Sequence, residues 1–133
     1  MIAAGEVARL VDAPTMTYPM NDALRHAATL MAERRWMEAI NAYEAICYQQ
    51  PQHAAMAASQ VGAAYFFLNS FSRAIQWYQY AGRSGFDARM TADNIAEAEQ
   101  ALRSYRPTVG DLVLTESGEL VEYHADGSWR RRG

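Results

Sequence analysis

The chain has 133 residues, enough for one domain with a modest core and too few for a second full domain. Half of its residues are hydrophobic and a fifth are charged, so it is expected to fold rather than stay disordered. A formal net charge of -3 offers no positive field, which removes nucleic acid and anionic membrane surfaces as default partners. All twelve basic side chains are arginine. A base composition that favours arginine codons and selection against lysine modification both account for this, and both stay open.

The first sixteen residues, MIAAGEVARLVDAPTM, carry Glu6, Arg9 and Asp12 among their apolar residues and lack the continuous apolar stretch of a signal peptide. Residues 1–19 are expected to be an N-terminal arm. No run reaches the roughly 18 apolar residues of a membrane span. Cys47 is the only cysteine, which excludes an intramolecular disulfide and a cysteine-built zinc site. A cytoplasmic protein with no cofactor is the expectation.

The middle of the chain repeats at an offset of 35 residues, as from Ala39 to Ala74. At that offset Trp36 pairs with Phe71, Ile40 with Ile75, Tyr43 with Tyr78, Ala27 with Gly62 and Leu30 with Tyr65. A small residue followed three or four positions later by a large one describes one helix face. Small residues let two helix backbones approach, and the aromatic fills the groove beside the contact. Arg34 and Arg35 in one unit, and Asn69 and Ser70 in the other, provide the short polar turns of antiparallel helix pairs. The pattern predicts two helical hairpins.

These residues resemble the tetratricopeptide repeat family. The second unit matches through Gly62, Tyr65, Phe71, Ala74, Tyr78 and Ala81, the first through Ala27, Leu30, Trp36, Ala39, Tyr43 and Pro51. The first departs at His26 and Ile46, the second has Phe86 in place of a closing proline, and one extra residue falls near 52–54. The resemblance implies a mainly α fold, a short α-solenoid of antiparallel hairpins with repeats at about 20–53 and 55–86.

Beyond Asp87, a suitable N-cap, residues 88–105 are predicted to form a capping helix, with Met90, Ile95, Ala98 and Leu102 toward the core. Asp93, Glu97, Glu99 and Arg103 would face outward. Pro107 and Gly110 end the helical domain, assigned to 20–106. In the tail, 107–133, Leu112 to Thr115 and Leu120 to Tyr123 flank a turn and spell a small β-hairpin. Residues 125–127 allow a short third strand at Ser128 and Trp129, with Arg130, Arg131 and Arg132 frayed. A lone hairpin is marginal in water, so packing on the helices is the favoured of three outcomes, the others being pairing with a partner and a loose tail.

Nothing in the sequence assembles catalytic chemistry, and a non-enzymatic protein without a metal site is expected. His26, His53 and His124 fall in three different elements, and Cys47 has no basic neighbour in sequence to activate it. No phosphate-cradling glycine motif is present.

Binding surface is what remains. The family resemblance implies that first helices line a groove, here Asn21, Leu24, Arg25, Ala28 and Met31, then Met56, Ser59, Gln60, Ala63, Phe66 and Phe67. Phe66 and Phe67 directly follow Tyr65, and three consecutive residues cannot all face inward from one helix. Members of the family that grip chaperone C-terminal carboxylates use basic and amide residues where this chain has Leu24, Ala28, Ser59 and Ala63, which disfavours that ligand. The expected function is a protein-protein interaction module for an apolar peptide or helix of a partner protein, as an adaptor or secretion-type chaperone. The alternative is a self-assembling structural component, a homo-oligomer formed through the aromatic surface or the hairpin edge.

Overall fold

A computed structural model describes residues 19–132, with side chains from residue 22 onward. Nearly all of the expected N-terminal arm lies outside the described residues. The chain forms helices α1 (Pro19–Ala32), α2 (Trp36–Gln49), α3 (Ala54–Phe67), α4 (Phe71–Arg83) and α5 (Ala88–Ser104). Strands β1 (Leu112–Leu114), β2 (Leu120–Tyr123) and β3 (Trp129–Arg131) follow, and a 3-10 turn at Pro51–His53 takes up the extra residue between the repeats. The protein is thus mainly α, with helix pairs packed as hairpins and a small antiparallel sheet at its C-terminal end.

The 35-residue period reaches the backbone. Arg34 (φ 62°) and Asn69 (φ 56°) both adopt the left-handed conformation. In the first turn the Arg34 N–H donates to Met31 O and the Arg35 N–H to Leu30 O; in the second the Asn69 N–H donates to Phe66 O and the Ser70 N–H to Tyr65 O. Both turns close the preceding helix with the same pair of bonds to its last carbonyls. Gly85 (φ 107°) ends α4 in the same way, through Phe86 N–H to Ala81 O and Gly85 N–H to Gly82 O.

Each helix packs on its sequence neighbours, so α3 lies between α2 and α4. The helix presents Ala57, Ala58, Val61, Gly62 and Ala64 to these contacts, all buried. At Gly62 the fit is tightest, since an added Cβ would stand 2.7 Å from the Tyr78 ring and 3.3 Å from Ala74 O. Ala27, Leu30, Ala39, Ile40, Tyr43, Leu68, Ala74 and Ala81 are among the other buried residues.

In α5 the expected inward stripe is rotated. Met90 is 53% and Leu102 52% exposed, whereas Thr91, Ile95, Ala98 and Ala101 carry the buried side. The reason lies on α4, where Gly82 offers room for Thr91, whose Cγ2 would stand 3.0 Å from a Cβ placed there. Asp87 caps the helix, its carboxylate accepting from the Met90 N–H at 2.8 Å.

The sheet has the order β1-β2-β3 and sits against the α3–α4 turn. On the outer edge of β1 the Leu114 N–H donates to Leu68 O at 3.1 Å, and Asn69 Nδ2 donates to Leu112 O at 2.8 Å. Arg73 reaches the following residues, donating to Thr115 O at 2.7 Å and Glu116 O at 2.9 Å. The tail therefore packs on the helices. Its arginines are not frayed: Arg130 and Arg131 belong to β3, and the Arg132 N–H donates to Leu120 O. Their side chains meet Asp126, Glu119 and Glu122 respectively, which keeps three like charges in one short strand.

Replacing Gly62 by Ala should destabilise the fold by about 2 kcal/mol, because overpacking against the Tyr78 ring outweighs about 1 kcal/mol of helix preference. Urea unfolding measures this. Thr91 Oγ1 is buried without a hydrogen-bond partner. Thr91→Val keeps the shape, removes that hydroxyl and should raise the unfolding free energy by about 1 kcal/mol in the same assay.

Candidate functional site

The groove residues expected from the sequence differ in exposure. Leu24, Met31 and Met56 pack half-buried on the core, Ser59 is buried, and Gln60 and Ala63 are half-buried. Ala28 is exposed, and Arg25 is exposed in an ion pair with Asp22. The Asn21 side chain lies outside the described residues. Phe66 turns toward α4, its ring edge-on to Phe71 at 5.3 Å, among residues packed on Ala74, Tyr78 and Ala98. Phe67 faces out at 54% exposure.

Phe67 does not stand alone. Its ring stacks on Trp36 with centroids 4.7 Å apart and planes 16° from parallel. From this pair a row of edge contacts runs through Phe66 and Phe71 to Tyr105, whose hydroxyl donates to Asp111 Oδ2 at 2.8 Å. Antiparallel hairpins bring the start of α2, the end of α3, the start of α4 and the end of α5 to the same end of the bundle, which is why the rings meet. Beside Trp36 lies a depression of about 320 Å³ with Leu68, Leu112 and Leu120 in its lining and Arg34, Arg35, Glu38 and Arg132 among its polar residues. Arg35 is held by Glu33 and Glu38, and Arg132 by Glu122. Exposed Met37 also borders it. The result is an apolar floor with charged margins.

A second depression, about 420 Å³, lies between α2 and α4 and is lined by Tyr48, Gln76, Trp77 and Tyr80. Sequence reasoning passed over these residues, although Trp77, Tyr78 and Tyr80 fall within four positions and cannot share one inward face. The same constraint separates Tyr65, Phe66 and Phe67.

The nucleophile and metal-ligand candidates are placed as follows. Cys47 is buried, and its thiol donates to Ala54 O at 3.6 Å. Burial first and the neighbouring Glu44 carboxylate second push that thiol up to about 11. His26, His53 and His124 lie in α1, the 3-10 turn and the segment after β2. Among the described residues no three of His, Cys, Asp and Glu gather as metal ligands, and no helix is long and apolar enough to cross a membrane.

Burial also raises the Tyr78 hydroxyl to about 12, with Glu97 adding to it. Above pH 9 the unfolded chain releases protons that the folded chain keeps, so fewer protons are bound unfolded and stability falls as pH rises. Stability should hold below pH 9 and fall by about 4 kcal/mol by pH 11. Urea unfolding at stepped pH measures this, and Cys47→Ala should flatten the curve between pH 9 and 10 while leaving the decline above pH 10. No family model, no curated protein and no solved structure matches the chain.

Proposed function

We propose that this chain is a tetratricopeptide-like interaction module that holds an apolar segment of a partner protein against the Phe67–Trp36 surface. The observation that carries the reading is the stacked, outward-facing Phe67. A large apolar ring left half in water costs solvation free energy, and stacking fixes its orientation in advance of any ligand. The adjoining depression supplies apolar floor and charged margins, the arrangement found at protein interfaces. An amphipathic helix or an extended apolar stretch would place one or two side chains there. The repeat assignment is supported by the shared turn geometry at Arg34 and Asn69 as well as by the paired residues. An adaptor and a secretion-type chaperone would both use such a surface.

One observation favours self-assembly as the second reading. The bonds from Arg132 N–H to Leu120 O and from His124 N–H to Ser128 O turn the backbone groups of Trp129 and Arg131 away from β2. Among the described residues no strand pairs with the outer edge of β3, although its arginines are the kind of residue that blunts edge pairing.

Phe67→Ala is the informative variant, since Phe66 is packed and its loss would disturb the fold. It should remain helical by circular dichroism and lose about 1 kcal/mol of stability from the broken stack. A partner captured by wild type should bind it about 30-fold more weakly, the scale of a central aromatic anchor worth about 2 kcal/mol. Unchanged capture removes the reading, and a wild-type oligomer that becomes monomeric with Phe67→Ala in light scattering supports self-assembly.

A further inference from the structure

The depression between α2 and α4 lies well away from the Phe67 surface, since Trp36 and Tyr48 stand at opposite ends of α2, about 18 Å apart along its axis. Its lining carries no charge among the described residues, and its three rings differ in role. Trp77 and Tyr80 are half-buried on α4 with ring centroids 5.6 Å apart and planes 77° to one another, so one face is fixed. Tyr48 on α2 is 72% exposed and forms the other wall. A cation placed over the face of such a ring is attracted by its quadrupole.

One turn before Tyr48 on the same side of α2 is Glu44. It is half-buried, its charge is felt by Cys47 and by Tyr65, and no ion pair joins it to a cation among the described residues. Partial burial raises its pKa from the ordinary carboxylate range. Arg73, the cation that precedes Gln76 on α4, is directed elsewhere: it donates to Ser70 Oγ, Thr115 O and Glu116 O and lies over the Tyr65 ring. Arg83 follows Tyr80 on α4. Because α2 and α4 run in the same direction, it lies toward the opposite end of the depression from Glu44.

Three aromatic rings one helical turn from a carboxylate that pairs with no cation among the described residues suit a cation. The open shape selects among cations, because an enclosed box suits a compact methylated ammonium whereas an open cleft with facing walls suits a planar group. A guanidinium stacks on aromatic faces and can bond a carboxylate through two N–H groups at once.

We infer that the cleft lined by Tyr48, Trp77 and Tyr80 receives an arginine side chain of a partner polypeptide, its guanidinium stacked on the rings and its charge met by Glu44. This site is independent of the apolar surface at Phe67.

The test uses the full chain with hexa-arginine and hexa-lysine as probes, followed by calorimetry and by the Trp77 indole N–H signal in NMR, in about 0.15 M salt where diffuse attraction is screened. Hexa-arginine should bind and shift the Trp77 signal, and hexa-lysine should bind at least about fivefold more weakly. Tyr48→Ala, an exposed position, should weaken hexa-arginine about tenfold, and Glu44→Gln about fivefold, the range expected for stacking and for one partly buried charge. Phe67→Ala should leave the affinity unchanged. Equal binding of both peptides without dependence on Tyr48 would mean general attraction to an acidic chain and would overturn the inference. So would a decaproline peptide that shifts Trp77 more strongly than hexa-arginine, or an absence of hexa-arginine binding at millimolar concentration.

Discussion

The structure depends on α3 being thin. It is gripped by α2 on one side and α4 on the other, and helices can approach to the distance of a shared core only where side chains between them are small. Ala57, Ala58, Gly62 and Ala64 meet this demand, and Gly62 meets it with nothing to spare against the Tyr78 ring. The aromatic side chains of α3 all fall in its C-terminal turn. Tyr65, Phe66 and Phe67 take three different directions there, toward the core junction, toward α4 and outward onto Trp36. The helix thus combines a thin middle with aromatic residues at a single end, one of them left at the surface.

The turn that ends α3 holds the second half of the protein. Asn69 tolerates the left-handed backbone that closes the helix, and from that position its side chain reaches Leu112 O. With Leu68 O accepting from the Leu114 N–H, the turn satisfies the outer edge of β1 much as a neighbouring strand would. Leu114 then enters the core beside Leu68. A three-stranded sheet this short has little stability of its own. Attachment at the turn gives it that stability and leaves β3 as the edge with which no strand pairs among the described residues.

How far the residues disclosed this arrangement varies with the kind of signal. The 35-residue period carried most of the fold, because pairs such as Ala39 with Ala74 and Tyr43 with Tyr78 reflect packing that each repeat must satisfy in the same way. Positions without a repeat partner were less legible. Met90 and Leu102 fit an inward stripe by spacing alone, but which of two adjacent stripes faces α4 is decided by Gly82, a residue of another helix. The three terminal arginines read as a loose basic tail until Asp126, Glu119 and Glu122, all N-terminal to them, are seen across the sheet. Phe66 and Phe67 could be separated from Tyr65 by direction, yet only the position of Trp36 and Phe71 tells which ring is exposed. The same reasoning applied to Trp77, Tyr78 and Tyr80 would have pointed to the cleft, since Tyr78 is the repeat-matched core residue and its neighbours must lie elsewhere.

The solenoid also has a definite end. Carrying the period one unit further places Glu97 where Gly62 stands and Gln100 where Tyr65 stands, and both are exposed on α5. A carboxylate at the position that must admit another helix backbone opposes close approach sterically and by the cost of desolvating its charge. The polar outer face of α5 therefore closes the stack, as terminal helices of repeat arrays must. Aromatic surface that the core does not absorb appears at the two ends of α2, as the Phe67–Trp36 stack and the Tyr48–Trp77–Tyr80 cleft, while α5 exposes only the aliphatic Met90 and Leu102 among its large apolar side chains.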